Sequence, residues 1–295
     1  MLVQRIITAL ILAALNVVAV FLLPNSYFSL LMGILVLIAA LEWCDLIAIE
    51  SMPKKLLFLV CMTAPMAGLH FWTQILELLA TLFDYPDIRT YSGVLEWLVI
   101  APVIFWVLVM LLIRHVPTQL LDLKLNKGFK AIMGGFVLIM VWLFFIRLRV
   151  FYGAEMTMYF LLLIWTADVS AYFVGKKWGK TKLSPEISPG KTIAGMYGAL
   201  VSGAVSALLL SLYLSVVYKT VSLFVVADFV LLSVLTVLIS IYGDLFFSAV
   251  KRQRGVKDSG NLLPGHGGML DRIDSIIAAT PFFYAGILLI YRSLE

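Results

Sequence analysis

The chain has 295 residues, 62% of them hydrophobic and 13% charged, with a mean hydropathy of +1.04. That composition lies far outside the soluble range and leaves an integral membrane protein of several spans. The net charge of +5 suits an anionic membrane surface and needs no nucleic-acid partner to explain it.

Apolar runs near twenty residues predict about nine spans, at 5–23, 28–49, 55–80, 94–113, 131–146, 156–174, 192–217, 222–243 and 276–291. About twenty residues cross a bilayer as a helix, so 131–146 is short and 55–80 is long. The expected fold class is all-α, a polytopic membrane protein with about nine transmembrane helices. It reads as one integrated membrane domain. Residues 1–150 supply the N-terminal helices, and 151–295 form a C-terminal region with polar connections at 175–191 and 245–275. Arg5 followed by an apolar run resembles a signal peptide, but no A-x-A site follows and more spans come directly after, so the first run is read as a span. Cys44 and Cys61 have no metal spacing and are read as packing residues.

With the N-terminus in the cytoplasm, nine spans place 17 Lys and Arg residues on the inner face and 5 on the outer. That bias predicts an external C-terminus and puts both polar connections on the cytoplasmic side.

The first connection follows Asp168, an ionisable residue inside a span and therefore a site candidate, with a structural pairing as the alternative. Five lysines against Glu186 give 175–191 a charge of +4, and Gly175, Gly179 and Gly190 permit close backbone approach. "GKT" at Gly190 to Thr192 is not a P-loop, because Pro185 stands where that motif needs glycine. Ser188, Pro189, Gly190, Lys191 and Thr192 are expected at the start of a helix, whose free amides favour an anion. A positive-inside anchor with a helix cap is the other reading.

The second connection carries sharper chemistry. Asp271 and Asp274 are spaced i, i+3, so a helix starting there puts both carboxylates on one face, with Asp244 at the inner end of the preceding span. Convergent carboxylates beside a phosphate-binding surface suit Mg²⁺, which takes hard oxygen ligands and bridges to phosphates. "PGHGG", Pro264 to Gly268, allows a tight turn holding His266, either to a phosphate or simply as a turn residue. Lys251, Arg252, Arg254 and Lys257 add cations in the same segment. Together these residues point to metal-assisted phosphoryl or nucleotidyl transfer.

The stretch "SAVKRQRGVKDSGNLLPGHGGMLDRID", Ser248 to Asp274, resembles the signature of the phosphatidate cytidylyltransferases, or CDP-diacylglycerol synthases, and meets every specified position of it. "DVSAYFVGKKWGK" and "LSPEISPGKT" resemble the family's second block, and Glu42-Trp43 a weaker N-terminal one. Ala194 departs from the acidic residue that many relatives carry there, and the first 150 residues match mainly in hydropathy. The resemblance implies CTP + phosphatidate → CDP-diacylglycerol + pyrophosphate, a requirement for Mg²⁺ with a second cation such as K⁺, and a homodimer in the bacterial cytoplasmic (inner) membrane. With that reaction, the two connections lead to the expectation that Asp244, Asp271 and Asp274 hold the metal and that Lys251, Arg252, Lys257 and Arg272 neutralise the phosphates. Asp258 and His266 join the catalytic group; Asp168, Ser188, Lys191, Thr192, Ser248, Gly267 and Gly268 bind substrate.

Two other classes are weighed. A transporter would use Asp168, Glu42 and Asp45 as an ion path, yet gives no reason for the D-x-x-D and glycine–histidine connection. A CDP-alcohol phosphotransferase would need a D-G-x-x-A-R start, which the sequence lacks. Glu42, Asp45 and Asp228 are left without a role.

Overall fold

The structure is a computed structural model and describes residues 2–84, 93–218, 222–262 and 267–292. Its helices are α1 (Leu2–Leu22), α2 (Asn25–Leu46), α3 (Met52–His70), α4 (Trp72–Leu82), α5 (Val94–Trp97), α6 (Ile100–His115), α7 (Pro117–Asp122) and α8 (Lys127–Trp178). A two-stranded hairpin, β1 (Lys182–Ser184) and β2 (Ser188–Thr192), precedes α9 (Ile193–Tyr218), α10 (Leu223–Arg254) and α11 (Leu270–Arg292). A bilayer offers the backbone no water, so an apolar chain closes its hydrogen bonds within helices. The all-α polytopic expectation therefore holds, with one short hairpin added.

Among the described residues, seven helical runs are long and apolar enough to cross a membrane. One of them, α8, has 52 residues, about 78 Å of helix against a hydrocarbon core of about 30 Å. Gly153 interrupts it at φ 85, ψ 172, a conformation that residues with a Cβ rarely adopt. Its two halves, α8a before Gly153 and α8b after it, correspond to the expected spans 131–146 and 156–174. The expected span 55–80 is instead divided into α3 and α4 at Phe71 (φ −93, ψ 14).

Helices α8, α9, α10 and α11 pack in a closed ring of neighbours, with α2 on α8 and α6 on α10 and α11, and the buried core draws mainly on α2, both halves of α8, α10 and α11. Small residues set the closest approach: a side chain at Gly243 of α10 would run into Ala278 of α11. Arg149, buried on α8a, donates to the carbonyls of Val20 and Leu23 and to Asn25, so its charge serves the C-terminal end of α1.

Trp43 fixes α2 against both α8 and α10. Its indole is fully buried, donates to the Lys130 carbonyl at 3.0 Å, and packs on Phe246 and Phe247. The ring fills the space in which Gly134 of α8 has no side chain. Gly134→Ala is therefore expected to destabilise the protein by about 1–3 kcal/mol through overpacking, read as a lower thermal midpoint in detergent.

Two expected boundaries move. Hydropathy ends the eighth run at 243, but α10 continues to Arg254 and stops at Gly255 in the left-handed conformation (φ 78), whose N–H bonds to the Arg252 carbonyl. Lys251, Arg252 and Arg254 thus lie in the last turn of a helix, where cations are favoured. With α11 starting at Leu270, the second connection is 255–269 rather than 245–275. In the first connection, Ser188 to Thr192 form a strand, paired Lys182 with Thr192 and Ser184 with Ser188, and the helix begins only at Ile193.

Candidate active site

Polar side chains from four elements meet at one end of the helical ring. The hairpin contributes Lys191, whose Nζ lies 2.7 Å from Asp244 Oδ2 on α10 and donates to the Ile241 carbonyl at 3.2 Å. Asp244 Oδ1 also accepts from Ser248, one turn on, at 3.3 Å. This ion pair is partly open, with 25% of the lysine side chain and 30% of the aspartate exposed. Asp168 of α8b is exposed beside it, within electrostatic reach of Asp244, Lys191 and Arg272. Asp274 of α11 lies buried behind, in electrostatic contact with Asp244, Lys191 and Lys251. The site is thus a half-open cluster of acids and bases with its floor on α10 and α11.

Asp271 and Asp274 stand in the first turns of α11, as their spacing predicts, but they do different work. Asp271 Oδ1 pairs with Lys251 at 2.6 Å, while Oδ2 accepts from the backbone N–H groups of Ser259 (2.7 Å) and Gly268 (3.0 Å) and lies 3.0 Å from the Ser259 hydroxyl. Its oxygens are committed to holding the 255–269 connection. The expected metal set of Asp244, Asp271 and Asp274 is therefore not brought together. Among the described residues, no group of three or more His, Cys, Asp or Glu side chains is placed to hold a metal ion. Mg²⁺ needs less, since it binds through one or two carboxylates plus water and substrate phosphates. Asp244 and Asp274, like charges held close together, fit that requirement.

The remaining predicted residues are placed in different ways. Arg252, Lys257, Asp258 and Arg272 are exposed around the cluster, and Arg252 Nε reaches the Ile187 carbonyl of the hairpin turn at 3.4 Å. Thr192 is buried, and its hydroxyl accepts from Gly195 N at 3.1 Å as the cap of α9. Side chains at Gly175 or Gly179 would collide with Thr192 and one at Gly195 with the Ala171 carbonyl, so these glycines serve packing, whereas Gly190 faces open space. Ser188 is tied into the hairpin opposite Ser184. Gly267 has φ 80, and a side chain there would press on Asp271. His266, with Pro264 and Gly265, lies outside the described residues.

Sequence reasoning left Glu42 without a role, yet it holds the connection that leads into this site. From α2 it accepts from the Ser259 hydroxyl (2.7 Å), Met269 N (2.7 Å) and Leu270 N (2.8 Å). An acid within an apolar span is costly unless satisfied, and that was the available signal. Asp45 lies instead in the last turn of α2, pairing with Lys55 and offering its carbonyl to Arg254. Asp228 is exposed near the start of α10.

The sequence profile of the cytidylyltransferase family matches residues 3–290. A Haemophilus influenzae protein named phosphatidate cytidylyltransferase is 34% identical over 294 residues, 96% of this chain and 97% of that protein. A Pseudomonas aeruginosa protein of the same name is 34% identical over 286 residues, covering 97% and 96%. A third, from Bacillus subtilis, is 43% identical over 136 residues, 45% of this chain. With a family match running almost end to end and two relatives aligned over nearly their whole lengths, the chain belongs to the cytidylyltransferase family.

Proposed function

We infer that this protein is a phosphatidate cytidylyltransferase, which joins CTP and phosphatidate to give CDP-diacylglycerol and pyrophosphate. The observation that carries the reading is end-to-end similarity to two proteins of that name, together with a signature that folds onto the acid–base cluster. The phosphate oxygen of phosphatidate forms a new bond to the α-phosphorus of CTP. The bond from that phosphorus to the bridging oxygen breaks, and its electron pair leaves with pyrophosphate.

The protein's part is positioning and neutralisation. Lys191, Arg252, Lys257 and Arg272 would face the phosphates, and Lys251 would act through Asp271 and the nearby acids. Asp244 and Asp274 would hold Mg²⁺, with Asp168 beside them; when bound, the cation neutralises phosphate charge. A second cation such as K⁺ is expected from the family resemblance. The 17-to-5 split of basic residues supports a cytoplasmic site, a cytoplasmic N-terminus and nine crossings, two of them by α8 and one by α1. Bacterial relatives support the cytoplasmic membrane as the location; a homodimer is expected from the family resemblance.

A phosphate monoester is largely dianionic above its second pKa of about 6, so no general base is needed. Turnover is expected to fall as pH drops below about 6, approaching tenfold per pH unit if only the dianion attacks. The test is pyrophosphate release by purified protein with CTP, phosphatidate and Mg²⁺, with and without chelator. Release requiring all three supports the reading. No release from well-folded, lipid-supplied protein would sink it, and release of CMP would point to phosphotransfer instead.

A further inference from the structure

Helix α11 carries Asp271, Arg272 and Asp274, so whatever sets its N-terminus sets the site. The first amides of a helix have no partner within it and are usually met by a Ser, Thr or Asp just upstream. Here Gly267, Gly268 and Met269 precede Leu270, and none can do so. The acceptor comes from 227 and 228 residues away: Glu42 of α2 takes Met269 N on Oε1 and Leu270 N on Oε2. We propose that Glu42 is a positioning residue for the reaction, capping α11 from α2 and fixing the 255–269 connection in its working register.

Three further observations bear on this. Glu42 is 8% exposed in a membrane helix, where a carboxylate persists only if its oxygens are satisfied, and three donors satisfy them. The Ser259 hydroxyl lies between Glu42 Oε2 (2.7 Å) and Asp271 Oδ2 (3.0 Å). Having one proton, it donates to one carboxylate at a time, and it links the cap to the Asp271–Lys251 pair. Finally, a side chain at Gly268 would occupy the place of the Glu42 carboxylate, and one at Gly260 would come within 3.0 Å of it. The bare backbone is what lets an acid from a distant helix reach these amides.

The next residue makes the cap stiff. Trp43 is locked between the Lys130 carbonyl and Phe246 and Phe247 of α10. Consecutive residues of α2 therefore register α10, which holds Asp244, and α11, which holds Asp274. The N-terminal half of the chain is thereby part of the catalytic apparatus, and the proposal rests on the function inferred above.

The test compares wild type, Glu42→Gln and a control, Gly203→Ala, which strains the α9–α10 contact away from the cap. Glutamine keeps the size but turns an N–H₂ donor toward a backbone N–H. Displacement by about 1 Å can cost about 10²-fold, so kcat per folded protein should fall by about 10- to 100-fold while the KM for CTP changes much less. Amide exchange at Gly268, Met269 and Leu270 should quicken in Glu42→Gln and not in Gly203→Ala. Glu42→Gln with kcat within twofold of wild type, or with unchanged exchange, overturns the proposal. So does a kcat loss that Gly203→Ala shares at equal thermal midpoint. If Glu42→Gln does not fold, Ser259→Ala decides: a smaller loss in the same direction supports the cap, and unchanged kcat and exchange overturn it. A wild type that releases no pyrophosphate would count against the assigned reaction instead, while the exchange comparison still reads the cap.

Discussion

Asp244→Asn is expected to lower pyrophosphate release by a factor on the order of 10² to 10³, the range seen when one preorganised electrostatic contact to a transition state is lost. Asp244 is the acid in the open part of the cluster, 30% exposed, with Lys191 at 2.7 Å and Ser248 at 3.3 Å. Asparagine keeps the shape and removes the charge, so a cation and the lysine beside it both lose their anchor. Stability should hardly change, because a partly exposed ion pair is worth only about 0–1 kcal/mol. Lys191 also keeps its bond to the Ile241 carbonyl. Turnover and thermal midpoint measured on one preparation decide the matter. Collapse of turnover at an unchanged midpoint places Asp244 in the chemistry, and turnover within tenfold of wild type removes it from the proposed metal pair.

Much of the architecture is legible because a bilayer demands long apolar runs, and this chain supplies them at nearly every crossing. What hydropathy does not give is where a helix ends. The run read as 222–243 stops at its last apolar stretch, yet α10 carries Lys251, Arg252 and Arg254 eleven residues further, since cations suit a helix C-terminus in water. Hydropathy does mark the division of α8 into two spans, around Arg147, Arg149 and Glu155, where Gly153 interrupts the helix. There the charges are accommodated within a nearly continuous helix, Arg149 by the end of α1 and Arg147 by Tyr284 and Glu96.

At the site, spacing correctly put Asp271 and Asp274 one turn apart on one helix, but it could not say what each faces. Local spacing knows nothing of Lys251 on α10 or of the amides of Ser259 and Gly268, which together occupy Asp271. It knows still less of Glu42, whose partners lie more than 200 residues away. The glycines around Thr192 show the same limit. Composition reads Gly175 and Gly179 as room for a ligand, and the fold uses both to enclose a buried hydroxyl.

Lys251→Met should cost both stability and turnover, and a double variant separates the two. The Lys251 and Asp271 side chains are 11% and 6% exposed and 2.6 Å apart. Removing one partner of a buried pair costs about 3–5 kcal/mol, because the other charge is left uncompensated. Here the loss should fall toward the lower end, since Asp271 keeps the N–H groups of Ser259 and Gly268. In Lys251→Met/Asp271→Asn no charge is stranded, so the thermal midpoint should recover most of the loss, a coupling of about 1–3 kcal/mol between contacting residues. Turnover should stay low, because Lys251 is also in electrostatic contact with Asp244 and Asp274 and the arriving phosphates add negative charge there. Thermal melting and pyrophosphate release on the four proteins of the cycle give the answer. If turnover returned together with stability, the pair would be scaffolding for the connection, and the work of neutralisation would pass to Lys191 and Arg272.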